Sequence, residues 1–230
     1  MKKNCLILLA FSILFFRGYS QQLSQVTFSH ESNFLWFSLL TNQNILIRIS
    51  NDGKILEFGT EEHALYNKTY YAQKLQPYLG RVDYYEQRAD SAFRGKIKSI
   101  GTCFFTYYPS SDFPEKIGKI RSAGNLFFDY YIKFQDALIE GKIKSIGSNA
   151  ITYYTSLDEE ALRGKLQMVG NTSITYYSSF DNIVLKGKLK SIGASKYTWY
   201  TSYDRRELAG TLKSGAYRRL INGIMYILQQ

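Results

Sequence analysis

The chain has 230 residues and a formal net charge of +10; 45% of its residues are hydrophobic, 16% are aromatic, and only two are cysteines. Its two histidines, His30 and His63, lie in no ligand or nucleophile motif, and no nucleotide-binding or serine-hydrolase motif occurs. The composition therefore excludes a disulfide framework and the common histidine-based active sites. We expect a protein that is not an enzyme and that has no catalytic residue, metal or cofactor.

Residues 1–20 have the pattern of a secretory signal peptide. Two lysines precede an apolar run over residues 5–16, and small residues follow before the expected cleavage site ahead of Gln21. The run is short for a membrane span; retention as an anchor is the alternative, because Arg17 lies close to it. Cleavage would remove three basic residues and no acid, which lowers the net charge from +10 to +7, and would leave Cys103 without a disulfide partner in the chain. We expect an exported protein of the periplasm, the cell surface or the extracellular space.

Residues 21–94 are predicted to form an N-terminal β segment. The letters SNDG at residues 50–53 separate ILIRI from KILEF, which is a strong hairpin signal. FLWFSLL and NILIRI form another predicted strand pair around residues 41–43. Residues 60–79 have the least pattern, so a short helix or a loop is expected there.

A 23-residue period dominates the rest of the chain. Five near-copies of one pattern, GKIKSIG followed by four residues and TYY, fill residues 95–209. The glycines that open these copies and a last, broken one are Gly95, Gly118, Gly141, Gly164, Gly187 and Gly210. A fixed period of this length indicates one supersecondary unit stacked on itself. The letters GKILEFG at residues 53–59 and the pair Tyr84-Tyr85 indicate degraded copies upstream, and Asn222-Gly223 predicts a capping hairpin over residues 210–230.

Each copy is rich in isoleucine, threonine, tyrosine and phenylalanine, which suit a pleated sheet, and it therefore predicts two strands. Turn-forming residues such as Gly147, Ser148 and Asn149 separate the strands, and we expect Ile146 to face Ile151 across that turn. The predicted fold class is all-β: an antiparallel meander of tandem β-hairpins that forms an open, lightly coiled or solenoid-like sheet. A small β-propeller is the alternative, because two copies have about the length of one four-stranded blade.

The connection after each TYY contains an aspartate flanked by apolar residues, as in Leu157, Asp158 and Leu162, and the pattern recurs around Asp181 and Asp204. We expect the carboxylate to cap the free amides of a helical turn, with the apolar pair clasped over it. This interpretation is preferred to a catalytic or metal-binding role, since such side chains favour local hydrogen bonds.

Two periodic rows of side chains are candidate binding sites. The basic row consists of Lys96, Lys98, Lys119, Arg121, Lys142, Lys144, Lys165, Lys188 and Lys190. Residues two apart on a strand share a face, so these cations should line one side of the sheet, where a polyanion could bridge them. The alternative is a solvated face that prevents aggregation.

The second row is aromatic, and each member is followed by a further tyrosine on the opposite face. It consists of Tyr107, Tyr130, Tyr153, Tyr176 and Trp199. Exposed rings beside cations are typical of surfaces that bind glycans or peptides. The alternative is cross-strand stacking that only stabilises the sheet.

Tandem hairpins with a 23-residue period, a glycine opening, a GKLKSIG-like strand and a YY pair resemble proteins of the MORN repeat type and their bacterial relatives. The resemblance covers residues 80–215, although nine residues separate Tyr154 from Gly164 where those bacterial relatives have a short turn. It implies a single-layer or lightly coiled β-sheet used for contacts with proteins, lipids or surfaces, with no shared catalytic residues.

Three functions follow from these patterns. The first is a non-enzymatic, exported repeat protein whose basic and aromatic face binds an envelope polysaccharide, another anionic polymer or a partner surface protein; nucleic acid is not an expected partner. The second is a purely structural envelope scaffold. The third is an outer-membrane β-barrel, for which lysines on every second strand are unfavourable. Unpaired strands at the sheet edges would favour self-association.

Overall fold

The computed structural model describes residues 21–61 and 74–229, and these residues form β-strands joined by turns. The strands are, in chain order, β1 (Gln22–Phe28), β2 (Phe34–Leu40), β3 (Leu46–Ile49), β4 (Ile55–Thr60), β5 (Gln76–Pro77), β6 (Val82–Tyr84), β7 (Ile97–Ile100), β8 (Cys103–Tyr107), β9 (Ile120–Ala123), β10 (Leu126–Tyr130), β11 (Ile143–Ile146), β12 (Asn149–Tyr153), β13 (Leu166–Val169), β14 (Thr172–Tyr176), β15 (Leu189–Ile192), β16 (Ser195–Lys196), β17 (Thr198–Trp199), β18 (Leu212–Ser214), β19 (Arg218–Ile221) and β20 (Ile224–Leu228). A short 3-10 helix, Ile183–Leu185, precedes β15. The predicted signal peptide and most of the segment expected to be a helix or loop lie outside the described residues.

Strands β6 to β16 form one eleven-stranded sheet, which we call the repeat sheet. Each strand is hydrogen-bonded to the next one along the chain, and the pairs are antiparallel. After a break at Tyr197, whose amide donates to the Lys190 carbonyl oxygen at 3.0 Å, β17 pairs with β18 in the same antiparallel manner. The predicted open antiparallel meander is confirmed, because the described copies form one continuous sheet rather than the four-stranded blades of a propeller.

The other seven strands form a separate sheet, which we call the first sheet, in the order β19-β20-β1-β2-β3-β4-β5. Its β3–β4 and β19–β20 hairpins follow the turn signals at residues 50–53 and at Asn222-Gly223. Strand β20 runs parallel to β1, with Val26 opposite Tyr226, so the C-terminal hairpin completes the first sheet. The GKILEFG segment also lies here as β4, and it is therefore not stacked with the copies of the repeat sheet.

The turn inside each copy is tighter than the sequence predicted. Ile146 pairs with Asn149 across the two residues Gly147 and Ser148, so the expected pairing with Ile151 is wrong by two positions. Gly147 has a φ of +58°, a conformation that glycine adopts without strain and that closes the turn in two residues. Ile151 still lies on the same face as Ile146, and both are fully buried.

A β-bulge recurs once in every copy. Asp129 pairs with Ser145, but the next residue, Tyr130, pairs with Ile143, so Lys144 is an extra residue in its strand. Ile143 is buried and Lys144 is exposed. The same register shift occurs between β6 and β7, β8 and β9, β12 and β13, and β14 and β15. A bulge re-aims the side chains that follow it, and here it turns Arg121, Lys144 and Lys190 out to solvent, each directly after a buried residue.

The two sheets share one hydrophobic core. Phe37 and Ile47 of the first sheet and Phe105 and Ile174 of the repeat sheet are each at most 1% exposed and belong to the same buried cluster. Polar contacts join the layers at both ends of the repeat sheet. Asn222 Nδ2 donates to Thr172 Oγ1 at 3.1 Å, and the Thr102 amide donates to Gln43 Oε1 at 2.9 Å at the other end. The outer face of the repeat sheet is left to solvent.

Candidate functional site: the cation and aromatic rows

The inner aromatic row, Tyr107, Tyr130, Tyr153, Tyr176 and Trp199, is part of the core. Its members are between 1% and 8% exposed. The Tyr130 hydroxyl donates to the Ile120 carbonyl oxygen at 2.8 Å, and the Trp199 indole nitrogen donates to the Leu189 carbonyl oxygen at 2.7 Å. Burial raises the pKa of the tyrosine hydroxyls in this row above the usual range, as at Tyr130. These five predicted site residues therefore stabilise the fold and present little surface to a ligand.

A second set of rings, the outer tyrosine row, follows directly after the inner one and is half-buried. It consists of Tyr85, Tyr108, Tyr131, Tyr154 and Tyr177. The Tyr108 hydroxyl donates to the Phe128 carbonyl oxygen at 2.7 Å, and the other members make the same bond 20 residues further along the chain. Tyr108 also meets Tyr130 edge to face at a centroid distance of 6.0 Å. The outer tyrosines thus join each copy to the next through hydrogen bonds and edge-to-face ring contacts.

The first lysine row consists of Lys96, Lys119, Lys142, Lys165 and Lys188. Each ammonium lies over a ring of the inner aromatic row, for example Lys142 over Tyr153 at 4.9 Å. Lys142 Nζ donates to the Gly164 carbonyl oxygen of the following copy at 2.8 Å, and Lys96 and Lys119 make the equivalent bond. These lysines connect consecutive copies.

The C-terminal end of the first lysine row also holds the first sheet in place. Lys165 Nζ donates to Asn33 Oδ1 at 3.1 Å, and Lys188, which is 7% exposed, pairs with Glu31 at 2.9 Å. The hydrogen bond from Lys188 lowers the pKa of the Glu31 carboxyl below its ordinary value. The first lysine row therefore lies at the junction of the two sheets.

Lys98, Arg121, Lys144 and Lys190 form a different row, which we call the outer cation row, and all four are exposed. Lys144 lies over Tyr131 at 5.9 Å and Lys190 over Tyr177 at 5.2 Å, so this row contacts the outer tyrosine row. The expectation that all nine basic residues line one side of the sheet is wrong. The bulge places the residue two after each first-row lysine in a different environment, which the simple alternation of a strand does not predict.

Carboxylates near the outer cation row already have partners. Asp129 pairs with Lys116 at 2.6 Å, and Asp83 pairs with Arg81 at 2.9 Å. Lys213 continues the row beyond Lys190 and lies over the Tyr200 ring at 5.2 Å. Lys213 also pairs with Asp204 at 4.0 Å, and the fourth copy has the neutral Gln167 at this position. The outer face therefore carries an exposed cation at this position in four of the five copies.

The aspartates of the long connections close their own turns. Asp158 Oδ2 accepts from the Thr155 amide at 2.5 Å and from the Thr155 hydroxyl at 2.9 Å. Asp181 and Asp204 repeat this pair of bonds. The carboxylate does bond a backbone amide, but that amide lies three positions earlier, so the predicted cap of the following helical turn is wrong at these residues. The amides of the following turn are instead bonded by Asp136, Glu159 and Asn182. The predicted apolar clasp is wrong, because Leu157 is 95% exposed at the tip of the turn.

A polar row that sequence reasoning missed joins neighbouring connections. Asp136 Oδ2 accepts from the Ser156 amide at 2.9 Å and from its hydroxyl at 2.6 Å. Glu159 accepts from the Ser179 amide at 3.0 Å in the next pair of copies. The signal was present in the sequence as an acid or amide side chain recurring with the 23-residue period.

Sequence reasoning also missed a line of exposed apolar side chains, which we call the apolar tips. They are Phe134, Leu157, Phe180 and Tyr203, and each is at least 91% exposed. They occupy the same position in four successive connections, 23 residues apart. Their side chains are almost fully exposed, so they contribute little packing to the fold.

Within the described part of the chain, no group of three histidine, cysteine, aspartate or glutamate side chains is placed to hold a metal ion. Over the same residues, no helix has the length and apolar character needed to cross a bilayer. Comparison of the chain with protein-family models, with curated proteins and with solved structures gives no match.

Proposed function

We propose that this protein is a non-enzymatic, exported repeat protein that binds an anionic polymer, such as an acidic envelope polysaccharide, along the outer face of its repeat sheet. The observation that carries the proposal is the outer cation row. Four exposed cations recur at one position per copy, and three of them lie over rings of the outer tyrosine row. The hydroxyls of those rings are bonded to backbone carbonyls, so the rings are fixed supports.

The spacing of the outer cation row suits a polymer. The cations of the first three copies, Lys98, Arg121 and Lys144, are separated by two strands, or about 9.6 Å, from the usual strand spacing. This distance is near the Debye length of about 8 Å at physiological salt, so the cations repel one another weakly while a charged chain can bridge several of them. The gap between Lys144 and Lys190 is twice as wide, because the fourth copy has Gln167 at this position. Each contact would be weak alone, and the row gains affinity because the contacts are linked. Rings that hold the lysine stems reduce the ordering cost of binding.

The first lysine row and the inner aromatic row do not carry this proposal, since they serve packing. Exposed rings on the outer face support it instead. Phe104 and Phe127 are 60% and 67% exposed, and each pairs across its hairpin with the serine that directly follows Lys98 or Arg121. They offer apolar area beside the cations Lys98 and Arg121.

Binding is tested with purified residues 21–230 on immobilised polygalacturonate, heparin and dextran. We expect retention on the two anionic polymers at low salt, loss of retention at about 1 M salt, where the Debye length falls to about 3 Å, and no retention on dextran. The decisive variant replaces the outer cation row with glutamine, as Lys98→Gln, Arg121→Gln, Lys144→Gln and Lys190→Gln. Glutamine is compatible with the fold, because Gln167 occupies this position in the fourth copy.

The matched control removes the same charge from exposed cations of the long connections, as Arg88→Gln, Lys133→Gln, Arg205→Gln and Arg206→Gln. The proposal requires the first variant to lose retention and the control to keep most of it. Equal losses would mean that only net charge matters. Absence of retention by the wild type at low salt would overturn the proposal and favour a structural scaffold.

The apolar tips favour a second candidate function, the binding of a partner protein along the edge formed by the long connections. A single exposed apolar side chain is ordinary, but four at the same position of successive connections can together form an apolar patch, and such patches mark interaction sites. A photo-crosslinking residue in place of Phe180 should capture a discrete partner in the producing cell, whereas the same residue in place of Lys54 should not. Equal labelling at both positions would remove this candidate.

A further inference from the structure

The first lysine row ends in an open cleft with a volume of ≈ 360 Å³. The cleft lies between the turn at residues 52–55 of the first sheet and the first two copies of the repeat sheet. Its lining includes three lysines, Lys54, Lys96 and Lys119, and one acid, Asp52. Rings and aliphatic side chains, among them Tyr84 and Tyr107, form the rest of the wall.

Lys96 and Lys119 each use one hydrogen for a glycine carbonyl oxygen of the following copy. An ammonium group has three hydrogens to donate. Among the described residues, no carboxylate lies within 4.0 Å of either ammonium. Burial lowers the pKa of both lysines, because a partly desolvated cation is less stable. At Lys119 the charges of Asp52, Glu115 and Glu140 oppose this shift from a distance, but burial outweighs them.

At the other end of the first lysine row, the equivalent lysines have partners in the first sheet. There, the turn at residues 29–33 of the first sheet supplies the Glu31 carboxylate to Lys188 at 2.9 Å and the Asn33 oxygen to Lys165 at 3.1 Å. At the cleft end the first sheet supplies Asp52, but its carboxylate is held by Lys54 at 2.8 Å and by the Ser50 hydroxyl. Two cations therefore remain without a carboxylate partner.

We propose that the cleft binds the carboxylate of a small organic acid, which takes at Lys96 and Lys119 the place that Glu31 takes at Lys188. Three ammonium groups and one carboxylate give the cleft a net charge of +2, which selects an anion. Tyr84 and Ile117, which are 56% and 37% exposed, provide an apolar wall for a planar or aliphatic body. The volume lies at the lower end of the range of about 300–1,000 Å³ found for ligand pockets, so the ligand is small. This site is separate from the outer cation row and does not depend on polymer binding.

The test titrates residues 21–230 with sodium benzoate and follows backbone amide shifts by NMR, with benzyl alcohol as the neutral control of nearly the same shape. We expect saturable shifts centred on Lys96, Lys119 and Tyr107. Benzyl alcohol should bind at least about tenfold more weakly, since it lacks the charge-assisted bonds that contribute about 1.5–3 kcal/mol.

Lys119→Met should weaken benzoate binding about tenfold, which corresponds to the loss of one such bond. Lys142→Met is the matched control, because it loses the same bond to a glycine carbonyl oxygen but does not line the cleft. If Lys119→Met fails to fold, Ile117→Trp fills the cleft without removing a charge and should also abolish the shifts. Equal affinity for benzoate and benzyl alcohol, shifts outside the cleft, or no saturation would each overturn the proposal.

Discussion

The glycine that opens each copy offers a quantitative test of how the copies are stacked. Gly95 and Gly118 have φ values of +74° and +70°, which side chains with a Cβ rarely adopt. A methyl group added at Gly95 would meet no atom within 4 Å, whereas one added at Gly118 would lie 2.6 Å from the carbonyl oxygen of Ala92, which precedes the first copy. The two positions therefore differ in packing and share the backbone conformation.

Gly95→Ala should lower the free energy of unfolding by about 1–2 kcal/mol, the cost of left-handed backbone in a residue with a Cβ. Gly118→Ala should cost this amount plus about 1–3 kcal/mol, because the Ala92 backbone must move to accept the methyl group. For a domain of this size, each kcal/mol corresponds to a fall of about 2–4 °C in melting temperature. Urea unfolding followed by tyrosine fluorescence measures both free energies.

The test compares the loss in free energy of unfolding of Gly118→Ala with that of Gly95→Ala. Equal losses would show that close contact between copies does not constrain this glycine, and the period would then reflect backbone conformation alone. No loss in either variant would contradict the positive φ itself.

Three further outcomes are expected. Glu31→Gln should lower the free energy of unfolding at neutral pH. This difference from the wild type should disappear as the pH falls through the pKa of Glu31, which lies below the usual 4.5, because a lowered carboxyl pKa means that the fold is stabilised by the ionised form alone. A difference that persists at acid pH would contradict the pairing with Lys188. Burial raises the pKa of the Cys103 thiol to about 11. A disulfide reagent at pH 8 should therefore label this thiol only after the protein is unfolded in urea. Rapid labelling of the native protein would show instead that the thiol is accessible. Tyr131→Phe should cost about 0.5–1.5 kcal/mol through loss of its bond to the Ile151 carbonyl oxygen, measured by the same unfolding assay, and an unchanged stability would remove that bond from the links between copies.

The meander was predictable from sequence because its signals are local. Each copy contains two runs of sheet-forming residues, a glycine turn and a second glycine before the next lysine, so every strand pairs with the strand beside it in the chain. The parallel pairing of β1 with β20 has no such signal, since its partners are separated by nearly the whole chain. Only the shared core shows why the termini meet.

The candidate site was predicted in part. The period identified Lys142 and Lys144 together. Their different roles depend on the bulge at Lys144, which lies between the pairs Asp129–Ser145 and Tyr130–Ile143. An extra residue in a strand becomes visible only when its partner strand is known. Likewise, the exposure of Leu157 could not be read from its apolar neighbours, because the turn is closed by Asp158 rather than by side-chain packing.

The first sheet contacts the repeat sheet at two separated copies, and these contacts constrain the number of copies that lie between them. It touches the first copy through Gln43 and Thr102 and the fourth through Asn222 and Thr172. Deletion of one intervening copy would shorten the repeat sheet by two strands, or about 9.6 Å, and the two contacts could then not form together. In an open solenoid each copy contacts only its neighbours, so copies can be gained or lost during evolution. In this protein, a change in copy number would require a matching change in the width of the first sheet.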